Sequence, residues 1–169
     1  LRLARLTGDV QALMTEVHAS HDKVSVLQQR LHLIEQSADA ALLAPVIKSA
    51  RKLISDVGRT KMLTDSVSAL EKAVRDGQTV VTMTSQVNNN NNNNNNNNVE
   101  ELDSASDSAF EAARTIEAAL EVALSAGVDA VTSRAVDLAR KVLEELRKVQ
   151  AARQLRQVTQ TVRQNKHRE

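Results

Sequence analysis

A single stretch, Ala118 to Leu155, constrains the chain more than any other, because its apolar residues keep helical time on both sides of one break. Leu120, Ala123 and Leu124 precede the break. Val136, Ala139, Val142, Leu143, Leu146 and Val149 follow it at the i, i+3, i+4, i+7 spacing of one buried helix face. Gly127 suits the left-handed residue that ends a helix, and Asp129 can accept from free N–H groups where the next helix starts. Two apolar faces joined by so short a connection cover each other when the chain folds back as an antiparallel hairpin. The fold class expected is all-α, antiparallel helical hairpins stacked as a short repeat array or elongated bundle.

Composition supports that class. Four Gly and one Pro in 169 residues are too few for the turns of an all-β fold. The chain has one Phe and no Trp, Tyr or Cys, which removes disulfides and thiolate chemistry and favours a reducing, cytoplasmic setting. A core of Ala, Val and Leu brings slim helices close together, and disfavours the aromatic-lined pocket of a small-molecule site. No run reaches the roughly 18–20 apolar residues of a membrane span. The first residues lack a signal peptide's apolar core and the chain lacks an initiator Met, so it reads as a piece of a longer protein. A net charge of +1 predicts no general affinity for nucleic acid or an anionic membrane.

Taken in order, Leu1 to about Gln36 reads as one long amphipathic helix, with an apolar gap between Val17 and Val24. Gly8 offers an early interruption. Pro45 fits the first turn of a new helix, Gly58 a stop, and Asp76-Gly77 another break. The β-branched run Thr79–Val87 continues a helix. Asn88–Asn98 is unbroken asparagine, either a polar linker or positions of unassigned identity, and carries no chemistry. Ser104 or Ser106 is the expected cap of a helix from about Ala109 to Ala126. The expected organisation is a first hairpin unit over 1–87, the asparagine run over 88–98, and a second hairpin unit over 99–169.

An offset of 89 positions aligns the halves without gaps. Ala50-Arg51-Lys52-Leu53-Ile54 falls on Ala139-Arg140-Lys141-Val142-Leu143, while Leu27 meets Ile116, Leu31 meets Leu120 and Val57 meets Leu146. The match predicts a duplicated helical hairpin. The pattern carried by Ala119, Leu120, Ala123, Ala126, Gly127, Val128 and Asp129, then Ala135, Leu138, Ala139, Leu143 and Leu146, resembles the helical-hairpin repeats of large algal and protist flagellar proteins. That resemblance covers about forty residues well; Gly127 has Ala38 as its counterpart in the first half. It implies a cytoskeletal scaffold role in the ciliary axoneme, with tubulin or other axonemal subunits as partners and no enzymatic residues. Alternatives are an adhesion bundle similar to talin and vinculin rods and a signalling coiled coil.

Candidate chemistry is sparse. His18, His21 and Asp22 lie on adjacent helical turns as a conceivable zinc set, but three ligands from one helix rarely complete a tetrahedral cage and His32 is too far along. Solvated polar side chains are the plainer reading. No nucleophile, base or Gly-rich loop stands in a recognised order, so neither an enzyme nor a cofactor is expected. Charge is more informative. From Val99 to Asp129 eight acids face the single Arg114, whereas from Ala130 to Glu169 ten bases face four acids. One reading is an acidic helix lying beside a basic one. The sharper one makes Arg147, Lys148, Arg153, Arg156 and Arg163 a contact for an acidic protein partner such as a tubulin surface. A calmodulin-type partner is disfavoured by the lack of aromatic anchors.

Overall fold

The computed structural model describes residues 2–91, 99–130 and 133–166. Among them the chain is all-α: α1 (Arg2–Ala19), a 3-10 turn (His21–Lys23), α2 (Val24–Glu35), α3 (Ala44–Asn91), α4 (Val99–Ser125) and α5 (Arg134–Lys166), with no strand. Contacts group into two compact units, Leu1–Met62 and Leu63–Glu169. The 48-residue α3 supplies the last helix of the first unit and the first helix of the second. The expected linker at 88–98 begins inside α3, and residues 92–98 lie outside the described residues.

In the first unit the long opening helix is two helices, not one. Arg30 Nη2 reaches Asp9 Oδ2 at 3.3 Å, although a continuous helix would set them roughly 30 Å apart. Arg2 pairs likewise with Asp39 at 3.6 Å. The chain reverses at Ser20–Lys23, within the stretch where Ala19 is the one apolar residue between Val17 and Val24. With no large side chain there to bury, the backbone turns: Ser20 N–H donates to the Glu16 carbonyl at 2.8 Å, and Ser20 Oγ to Asp22 Oδ2 at 3.4 Å. Gly8 interrupts nothing, and α1 runs through it. Val10 and Val17 of α1, Leu27, Leu31 and Ile34 of α2, and Leu43, Ala50, Leu53 and Val57 form the core.

The second unit packs α3 against α4 and α5. Leu70, Ala73 and Val74 meet Ala109, Ala113, Ile116 and Ala123 of α4 and Val136, Ala139, Val142, Leu143 and Leu146 of α5. Two expected breaks are absent, because α3 passes unbroken through Gly58 and Asp76-Gly77. Gly58 is exposed, and a Cβ there would meet nothing within 4 Å. At Gly77 the reason is packing. A Cβ would lie 2.6 Å from Ile116 Cδ1 and 3.1 Å from Val142 Cγ1, so the missing side chain is the space that α4 and α5 occupy. Such a glycine costs about 1 kcal/mol of helix propensity relative to Ala, and that loss is offset by burial across three helices.

The connection from α4 to α5 follows from its residues. Gly127 has φ +96, Val128 N–H donates to the Ala123 carbonyl and Gly127 N–H to the Leu124 carbonyl, both at 3.0 Å. This paired closure satisfies two carbonyls at the helix end, and Val128 packs back on the core. Ser133 then stands before α5, its Oγ 3.5 Å from Val136 N–H. Asp129 offers its backbone carbonyl to Ser133 N–H at 3.2 Å. The caps expected at Ser104 and Ser106 are corrected, since α4 already starts at Val99 and Ser106 is buried mid-helix. Small side chains let α4 continue into the seam there, where a cap residue would have stayed in solvent.

The 89-residue correspondence recurs in the structure. α2 and α4 end, and α3 and α5 begin, within one residue of their matched positions. Leu27 and Ile116, Ala50 and Ala139, and Leu53 and Val142 are all buried pairs. Where Gly127 ends α4, α2 ends without a positive φ: Ser37 Oγ donates to the Ile34 carbonyl at 2.7 Å, and successive turns carry the chain to Leu43. Ala38 needs no left-handed conformation there.

The close approach at Gly77 makes a signed prediction. Gly77→Ala gains helix propensity but overpacks the seam, so it should lower stability by about 1 kcal/mol net, given overpacking costs of roughly 1–3 kcal/mol. Ile116→Val removes the clashing methyl. In that background the same Gly77→Ala change should be neutral or stabilising by urea denaturation.

Candidate functional site

The basic segment of α5 lies beside acidic α4. α4 and α5 run antiparallel, because Glu117 pairs with Arg147 while the earlier Asp107 pairs with the later Arg153. Arg147 Nη2 donates to Glu117 Oε1 at 2.9 Å, and Arg153 Nη1 to Asp107 Oδ1 at 2.6 Å. Lys148 Nζ lies 2.7 Å from Glu145 Oε1 and 3.2 Å from Glu144 Oε1 on its own helix. The hydrogen bonds that the Lys148 ammonium donates to Glu145 and Glu144 hold it above its ordinary pKa range. Arg156 is exposed, and the Arg163 side chain lies outside the described residues.

The segregated charges therefore act within the molecule as well. Acidic α4 and basic α5 meet through cross-helix pairs that favour one register. Exposed pairs of this kind are individually weak, at most about 1 kcal/mol. The Arg153 side chain is 29% exposed against 66% for Arg147, while Asp107 is 74% exposed against 52% for Glu117, so the Asp107–Arg153 pair is the better shielded at its guanidinium only.

Beyond the core, α5 presents a row that charge counting overlooks. Leu155, Val158 and Val162, at i, i+3, i+7, are 70%, 61% and 62% exposed. They do not continue the buried seam: at about 100° per residue Leu155 lies about half a turn round the helix from Leu146, and Val158 and Val162 follow on that outward face. α4 carries a second exposed feature, Phe110, the single aromatic residue of the chain and 61% exposed. An open groove of about 480 Å³ between α4 and α5 has Leu120, Leu124 and Leu143 as its floor, with Glu117, Glu121, Arg140 and Arg147 at its rim.

Of the conceivable zinc set, two side chains are described. His18 is exposed near the end of α1, the His21 side chain lies outside the described residues, and Asp22 accepts from Ser20. Among the described residues no group of three or more His, Cys, Asp or Glu is placed to hold a metal ion. No helix among them is long and apolar enough to cross a membrane. No family of known proteins matches the chain, and no curated protein or solved structure matches it.

A double-mutant cycle separates the two ion pairs. Alanine substitution at Glu117 and Arg147 should give a coupling below about 1 kcal/mol that fades in 0.5 M salt. The cycle at Asp107 and Arg153 should give the larger and less salt-sensitive coupling, and the reverse order would contradict the argument from guanidinium shielding.

Proposed function

We propose that this chain is a non-catalytic structural segment that binds protein through helical surfaces, within a larger cytoskeletal assembly of the ciliary axoneme. The observation that carries the binding part is the uncovered row Leu155, Val158 and Val162. Fully burying one such side chain is worth about 1.5–3 kcal/mol, so a partner that covers the row gains substantial affinity without a pocket. Helix-on-helix docking reads such a row at i, i+3 and i+7. The axonemal part rests on the flagellar-repeat resemblance carried by Ala119 to Leu146. Its Gly127-Val128-Asp129 turn serves here as a helix-ending connection between two closely packed helices. A scaffold of this kind needs surfaces and registered helices rather than reactive groups, and small-residue seams with exposed apolar rows provide both.

The reading is tested in ciliated cells by detergent extraction. The unaltered chain should remain with the insoluble axonemal fraction. Val158→Asp combined with Val162→Asp should release most of it while leaving helicity by circular dichroism unchanged, because both positions are exposed. Equal retention of the two forms, or full solubility of both, would count against the proposal.

A further inference from the structure

Among the arginines of the chain, Arg156 alone is followed three residues on by a serine or threonine, Thr159. Arg153 stands three residues further back, and no carboxylate occurs between Leu146 and Arg168. A serine/threonine kinase that reads its substrate by charge needs such a pattern, because carboxylates in its cleft pair with arginines ahead of the acceptor hydroxyl and repel acids there. Thr159 is exposed, and no described side chain from Gln154 onward is buried. The end of α5 therefore opens into the extended form that a kinase cleft takes without breaking core contacts. What opening costs is helix hydrogen bonds, among them the one that Thr159 Oγ1 donates to the Leu155 carbonyl at 2.7 Å.

Thr159 also lies within the exposed row. It follows Leu155 by four residues and precedes Val162 by three, the two spacings that share a helix face. We infer that Thr159 is a phosphorylation site for an arginine-directed serine/threonine kinase, and that its phosphate turns off the protein contact made by Leu155, Val158 and Val162. The Thr159 hydroxyl oxygen takes the γ-phosphoryl group of ATP: one O–P bond forms, the bond to the ADP oxygen breaks, and the hydroxyl proton passes to the kinase's catalytic carboxylate. The product carries a charge of about −1.5 to −2 at neutral pH, which a partner burying the row would have to strip of water. The helix itself accommodates the group, since Arg156 at i−3 and Arg163 at i+4 stand at the spacings where opposite charges meet along a helix. The contact is thus switched without unfolding α5. The inference rests on the reading of the row as a protein contact and adds its regulation.

The site is tested on the full chain with Mg·ATP and the catalytic subunit of a cyclic-AMP-dependent protein kinase, the phosphate being located by mass spectrometry. Thr159 should be the residue modified. Thr159→Val should abolish the uptake, and Arg156→Gln should slow it roughly tenfold or more, the worth of one charge-assisted hydrogen bond. An unmodified chain, or undiminished uptake in either variant, would overturn the site. The switch is read by the same detergent extraction as the Val158→Asp, Val162→Asp pair, with helicity checked for each variant. Thr159→Glu should leave the axonemal fraction as that pair does. Thr159→Val should remain, and so should Thr161→Glu, which places a carboxylate on the other side of the helix. Retention of Thr159→Glu beside release of the valine pair would end the switch and leave the reading of the row standing. Release of Thr161→Glu to the same extent would show a charge effect indifferent to the row, and the switch fails there too. Retention of the valine pair sinks both.

Discussion

The second unit depends on how closely three helices approach at Gly77. Ile116 of α4 and Val142 of α5 take the volume that any side chain at residue 77 would fill. Once α3 is held there, Leu70, Ala73 and Val74 on one side and Val80 and Val81 on the other are brought against the α4–α5 hairpin. Ala109, Ala113, Ala123 and Ala139 follow the same logic, since small side chains on facing helices permit short interaxial distances and tight packing. A core without aromatics is thus a working solution: it replaces bulk at each contact with proximity along the whole helix.

Proximity alone does not choose a register, and the polar residues do that. Gly127 ends α4 through a left-handed turn, Ser133 stands before α5, and Glu117–Arg147 and Asp107–Arg153 align the helices between. The first unit reaches the same hairpin by other means, with Ser37 closing α2 and Arg51 donating to Glu35 across the turn at 2.9 Å. Matching buried positions with differing turns and ion pairs are what a duplicated hairpin would show if the core were constrained and the surface free to change.

Much of this was legible in the residues. The seam Val136–Leu146, the Gly127 turn, the helical state of Thr79–Val87 and the all-α class follow from spacing and local chemistry. The errors share one cause, which is that local signals do not report what lies across the helix. Gly77 looks like a breaker until Ile116 stands opposite it. Val17 and Val24 look like one face until Asp9 and Arg30 prove to be neighbours. Ser106 looks like a cap until it is seen inside a seam of alanines. The candidate contact was half legible: the bases of α5 stand out in the sequence and Val158 falls outside the phase of the buried seam, but the pairing of Arg147 and Arg153 to α4 depends on where α4 lies.

The central claim is that α3 is continuous and buried at Gly77, where a local reading expects a break. Amide hydrogen exchange across residues 70–84 addresses it directly. The account predicts that Gly77 and Gln78 exchange as slowly as Leu70 and Val74, through global unfolding of the second unit. Rapid exchange confined to Asp76–Gln78, with slow exchange on either side, would show a broken helix and contradict it.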